Sequence, residues 1–184
     1  RRNRASIQNY TAEGRPMLKA LGSALIMISC SLFGLSMAAS LKRRERMLRN
    51  LSALLEIMRG ELCASLRPVW EVVSELAERR DAPAAAFFAD CLSQYGAGSF
   101  REAWSGAAAN CRRLGLDAEE CDELSSLGGV IGRYEAEKQA LLLKKTIEYF
   151  DSRVELAVET RRGQSKICAA LGIGSGLVLT ILML

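Results

Sequence analysis

The chain has 184 residues, 25 basic and 21 acidic, a formal net charge of +4 and no histidine. That length holds one domain of modest size, and the missing histidine removes the commonest catalytic base and the usual Cys/His zinc sets. Hydrophobic residues make up 49 % of the sequence, but they crowd into two apolar ends around a charge-rich middle, so the composition has to be split before it informs.

In chain order, Met17-Leu18-Lys19 reads as a natural start, which sets 1–16 aside as an N-terminal extension outside the working protein. No Asp, Glu, Lys or Arg occurs from Ala20 to Ala39. About 20 helical residues rising roughly 1.5 Å each cross a hydrocarbon layer of about 30 Å, so 17–40 is predicted to be a transmembrane helix. A cleaved signal is the competing reading, because Ala38, Ala39 and Ser40 resemble a cleavage site. The basic cluster that follows at once, Lys42, Arg43, Arg44, Arg46 and Arg49, works against export.

The middle segment, 41–165, is predicted to be an all-α, six-helix bundle. Leu48, Leu51, Leu55, Met58 and Leu62 recur at three- and four-residue steps and give a first helix growing out of the anchor. Pro68 suits a first helical turn, so a second helix runs 68–80 on Val69, Val72, Val73 and Leu76. Asp81-Ala82-Pro83 starts a third, to about Tyr95, with Phe87, Phe88, Cys91 and Leu92 inward. Ser99 and Glu102 form a capping box for a fourth, 100–113, with Phe100, Trp104 and Ala108 on one face and Gly115 as its stop. Asp117 opens a fifth with Glu119 and Glu120 in its first turn, where carboxylates meet the positive end of the helix dipole. Leu124, Leu127, Val130 and Ile131 are its apolar positions. The sixth is long: Ala136, Ala140, Leu143, Ile147, Phe150, Val154 and Ala157 repeat at four and three and lead into the closing run. First and sixth helices are expected to pack lengthwise as an antiparallel pair, with the shorter helices capping the distal end.

The closing run, 166–184, is charge-free after Lys166 and reads as a second transmembrane helix. Gly172 and Gly176 there match the small-xxx-small spacing that lets membrane helices approach closely. The glycines superficially resemble a nucleotide loop, but no strand precedes them and no Lys-Ser/Thr follows.

Charge fixes orientation. Residues 42–49 carry five basic and one acidic residue, 161–166 three basic (Arg161, Arg162, Lys166), and 50–160 twelve basic against nineteen acidic. The domain is expected to be basic beside the membrane, where these cations meet anionic lipid, acidic away from it, and cytoplasmic. Lipid is the nearer polyanion for the cluster, and nucleic acid is not expected.

No catalytic, cofactor or metal site is expected. Cys63, Cys91, Cys111 and Cys121 show no CxxC spacing and read as small buried hydrophobes in a reducing compartment. Glu119, Glu120, Asp122 and Glu123 read either as a solvated helix start or as an acidic surface for a partner. Trp70 and Trp104, with that acidic patch, are the sole candidates for a ligand-responsive sensor or regulator, the alternative to a scaffold.

Four stretches together carry a family resemblance: Met17-Leu18-Lys19 opening a span, Gly98 to Trp104 (GSFREAW), Leu127 to Gly132 (LGGVIG) followed by Glu135 and Gln139, and Lys166 through Gly172, Gly176 and the closing ILML. In this order and spacing the chain resembles the stage III sporulation protein AB family. The resemblance implies a membrane component of the complex linking mother cell and forespore, with a soluble domain similar to the helical domain of type II secretion inner-membrane platform F proteins. It implies a non-enzymatic platform, with other stage III proteins and the complex's cytoplasmic ATPase as partners; a homo-oligomer stays open. Leu127, Gly132 and Gln139 match the family pattern, with Gln139 a further partner-binding candidate, whereas Glu135 and Leu142 stand where members often carry Asp and His.

Overall fold

The computed structural model describes the backbone of residues 3–183 apart from 66, 80, 97 and 134, and side chains at 22, 25, 28, 29 and 32 and through 34–164 apart from those same four. Among the described residues six α-helices and one 3-10 turn follow one another: α1 (Asn3–Cys63), α2 (Val69–Ala77), α3 (Ala85–Leu92), α4 (Phe100–Ala109), the 3-10 turn Cys111–Leu114, α5 (Ala118–Leu127) and α6 (Ala136–Met183). The described residues contain no strand.

The chain divides into two compact units, Leu41–Thr160 and the remainder, 1–40 with 161–184. In the second of these, Leu25, Ile28, Leu32 and Leu35 are 57–68 % exposed. Among the described residues no helix is long and apolar enough to cross a membrane. Half of the predicted span 17–40, and all of 166–184 with Gly172 and Gly176, lie outside the described side chains, as does the extension 1–16.

The unit Leu41–Thr160 is built by its apolar periodicity. Met47, Leu48, Leu51, Leu54, Leu55, Met58 and Leu62 of α1 are buried, as are Leu143, Ile147 and Phe150 of α6. Ser52 of α1 donates to Asp151 of α6 at 2.5 Å. Leu41 and Arg44 share a cavity with Leu156, Ala157 and Thr160. Positions that rise along α1 thus meet positions that fall along α6, the register of an antiparallel pair. Phe87 and Phe88 of α3 pack edge-on against Trp104 of α4, with centroids 4.8 and 6.0 Å apart.

Side-chain caps set the starts of α4 and α5. At α4 the predicted box is present, with Ser99 Oγ accepting from the Glu102 N–H and Glu102 accepting from the Ser99 N–H. Four predicted helices are shorter than expected: α2 stops at Ala77, short of 80, α5 stops at Leu127, before its predicted apolar positions Val130 and Ile131, and the third and fourth are cut as follows. Around Pro83 the chain winds through three-residue turns, Ala85 N–H to Ala82 O and Phe87 N–H to Ala84 O, and α3 ends in two more, before Gly96 at φ +83°. Beyond Asn110 the fourth helix tightens into the 3-10 turn and stops at Gly115, φ +89°.

The cysteine expectation is corrected. Cys111 of the 3-10 turn and Cys121 of α5 form a disulfide, Cα atoms 6.0 Å apart. Cys91 matches the buried-hydrophobe reading: burial pushes its thiol up to about 11. Cys63 is free and half-buried.

Candidate functional site

Charge concentrates where the first turn of α5 meets the two long helices. Asp117 caps α5: its carboxylate accepts the Glu120 N–H at 2.9 Å, and Glu120 Oε2 accepts the Asp117 N–H at 2.8 Å. This second capping box turns the Glu120 side chain inward, where it is fully buried. A buried carboxylate needs cations, and they come from both long helices. Arg44 of α1 donates to Glu120 Oε1 at 2.8 Å, to Asp117 at 3.1 Å and to the Gly115 carbonyl at 2.8 Å. Arg153 of α6 lies 3.6 Å from Glu120 Oε1, bonds Glu119 at 2.5 Å and rests over the Tyr149 ring at 5.2 Å. Burial pushes the Glu120 carboxyl above its ordinary value despite these cations. Asp117 moves the other way: burial would raise it, but the Glu120 N–H and the two guanidinium groups together hold it low. Beside the cluster is a cavity of about 160 Å³ lined by Leu41, Arg44, Glu120, Arg153, Leu156, Ala157 and Thr160.

The opposite end of α5 carries a second node, made of ring and glycine. Trp104, fully buried, donates its indole N–H to the Leu124 carbonyl at 2.6 Å. Gly128 lies so close that an added Cβ would be 2.8 Å from Trp104 Cδ1. Gly132 takes φ +74°, and its N–H donates to Gln139 Oε1 of α6 at 3.0 Å. Two stretches far apart in sequence, GSFREAW and LGGVIG, therefore meet here.

The predicted partner residues separate. Glu120 and Gln139 are buried and bonded inside the fold; Glu123 is half-buried and accepts from Thr146 Oγ1 at 2.7 Å; Glu119 and Asp122 are exposed. This corrects the picture of one acidic face remote from the basic collar, because collar residue Arg44 is bound directly to Asp117 and Glu120. Lys42, Arg43, Arg46 and Arg49 are exposed, with Arg49 also paired to Glu45 at 2.9 Å. In the other unit Arg161 is half-buried and Arg162 exposed, and Lys166 lies outside the described side chains. Sequence reasoning missed Arg153. Its signal was its isolation: it is the one cation from Thr146 to Thr160, among Glu148, Asp151, Glu155 and Glu159.

Chemically the cluster braces three helices. Among the described residues no group of His, Cys, Asp or Glu is arranged to hold a metal ion. A family profile described as Stage III sporulation protein AB (spore_III_AB) matches residues 19–184. The chain belongs to this family. A Stage III sporulation protein AB of Bacillus subtilis (strain 168) is 24 % identical over 171 residues, covering 91 % of this chain and 100 % of the relative. No solved structure matches. Membership of the stage III sporulation protein AB family places the chain in sporulation, and the two stretches that meet around Trp104 and Gly128 are among those that carry the resemblance.

Proposed function

We propose that the chain is a non-enzymatic membrane platform of the sporulation complex: two spans hold the helical unit on the cytoplasmic, mother-cell side, where it docks other stage III proteins, the complex's ATPase among them. The observation that carries this reading is that the charged cluster is satisfied from within. Glu120 accepts from Arg44 and from the cap of α5, so its groups brace α1, α5 and α6 and present no free base or nucleophile. The exposed Leu25, Ile28, Leu32 and Leu35, with the charge-free runs at both ends of the domain, support burial of those helices in lipid. A ligand-responsive regulator has less support, because the guanidinium groups that face the cavity are already held by carboxylates.

Cys63 supplies the test. In a C30S/C168S chain expressed in sporulating cells, a membrane-impermeant maleimide should label half-buried Cys63 only after permeabilisation, with the chain in the membrane fraction. Labelling in intact cells, or recovery of the chain in the soluble fraction, overturns the topology. Failure of the affinity-purified full chain to bring down any stage III protein overturns the docking role.

A further inference from the structure

A run of aromatic rings climbs from the core to the surface. Phe87 touches Trp104, Trp104 touches Phe100 with centroids 5.5 Å apart, Phe100 touches Trp70 at 5.3 Å, and Trp70 touches Tyr95 edge-on at 4.8 Å. Trp104 is sealed, Trp70 and Phe100 are half-buried, and Tyr95 is 63 % exposed. The outermost rings are therefore held from beneath, and Tyr95 leads into the left-handed turn at Gly96. Tryptophan and tyrosine are the side chains that most often dominate binding energy, and rings already fixed lose little freedom when a partner arrives.

The charge around these rings is predominantly negative. Between Val69 and Glu102 there are six acidic and three basic residues. Glu71, next to Trp70, has a side chain 62 % exposed, and its ion pair with Arg67 is long at 4.0 Å. Glu78 is the C-cap residue of α2, the helix that carries Trp70, and Glu102 caps the helix that begins with Phe100; both are exposed. The described cations of the stretch and its edge are engaged mainly with other groups. Arg67 and Arg79 bind Glu75 at 2.8 and 3.7 Å, and the Arg101 guanidinium lies beside Gly129. Electron-rich ring faces ringed by carboxylates attract Lys and Arg side chains through cation–π and ionic contacts together.

We propose that Trp70, Tyr95 and Phe100 form a docking surface for a basic, aliphatic-bearing helix or tail of another protein. This rests on the platform reading and names its contact face. Anionic lipid would be repelled by Glu71 and Glu78, and a second copy joined two-fold through this patch would set like charges against each other.

The test uses the full chain in detergent and three fluorescent probe peptides: an amphipathic Arg/Leu helix, its Glu/Leu counterpart, and a Lys/Ser peptide without aliphatic side chains. The Arg/Leu peptide should bind at least tenfold tighter than the other two. Its affinity should fall about tenfold in Tyr95→Ala and about fivefold in Glu71→Gln, and should weaken as salt rises from 50 to 300 mM. Tyr95 is exposed, so its loss leaves the core intact, and unchanged thermal unfolding checks this. Equal binding of the Glu/Leu peptide, or an unchanged affinity in Tyr95→Ala, overturns the proposal. In sporulating cells, a photo-crosslinking residue at 95 should capture another stage III protein; capture of a second copy, or of lipid alone, overturns it. A Tyr95→Ala strain that sporulates normally, while the full chain still brings down its stage III partners, sinks this surface and leaves the platform standing.

Discussion

The first turn of α5 is held by charge and its last turn by shape. At the Asp117 end, two carboxylates exchange cap bonds and draw Arg44 and Arg153 from helices 76 and 36 residues away in the chain from Glu120 and Asp117 respectively. At the Gly128 end the ties are an indole held by the Leu124 carbonyl, a glycine that leaves room for it, and the left-handed Gly132 bonded by Gln139. The difference teaches how one short helix is tied at both ends. Ionic ties lie partly in solvent and tolerate adjustment, whereas a sealed ring does not.

Filling the glycine should therefore have the larger effect. Gly128→Val would drive a branched side chain into the Trp104 ring, which Leu124 and Phe87 prevent from moving. We expect a loss of about 3 kcal/mol, at the upper end for overpacking a core, read from denaturant unfolding of the full chain in detergent. A loss below about 1 kcal/mol would mean that the shape-held end is as adjustable as the charged one.

Arg153→Met should cost less, about 2 kcal/mol. It strips one of two cations from buried Glu120, but Arg153 is itself 22 % exposed and water replaces part of what is lost. Adding Glu120→Gln should recover part of that cost, because the uncompensated charge goes with it. Strictly additive losses would show that Arg153 acts through packing on Tyr149 and not through Glu120.

How much of this could be read from the chain follows from the reach of each interaction. Helix starts are local: Ser99 with Glu102 sits within one turn and is legible, and the same spacing at Asp117 and Glu120 is equally available but in the sequence alone resembles a solvated acidic start. Core stripes such as Leu48, Leu51, Leu55 and Leu143, Ile147, Phe150 are periodic and were legible for the same reason. Arg44 reads as lipid-facing with its basic neighbours, because nothing in its local sequence says that Glu120 needs it. The Cys111–Cys121 pairing likewise depends on how the 3-10 turn folds back on α5. The LGGVIG and GSFREAW stretches could be recognised as a resemblance, but their physical meaning, a glycine against a tryptophan, exists only once the helices are packed.

Gln139→Ala tests the weaker tie of the shape-held end. The Gly132 N–H would lose its acceptor and turn to water, for about 1 kcal/mol. Gly132→Ala should cost a similar amount by placing a side chain at φ +74°. Neither change should alter the Arg44–Glu120 end; if either shifts its acid sensitivity, the two ends are coupled through α5.

That acid sensitivity gives the smallest and most diagnostic effect. Asp117, held below its ordinary value of 3.8, contributes stability that is present above that value and lost as pH falls through its folded pKa. Glu120, raised above its ordinary 4.5, has the opposite sign: its contribution is present below 4.5 and lost as pH rises through the higher folded value. Asp117→Asn keeps a capping oxygen but deletes the first dependence, whereas Glu120→Gln keeps the box and deletes the second. Between pH 5 and 3 the loss of stability should therefore rank Glu120→Gln above the unchanged protein, and that above Asp117→Asn. Asp117 is 39 % exposed, so screening limits its own step to about 0.5 kcal/mol. The reverse order would mean that Glu120 stays comfortably ionised in its buried place and that the two arginines over-compensate it, making this end of α5 as settled as the end held by tryptophan.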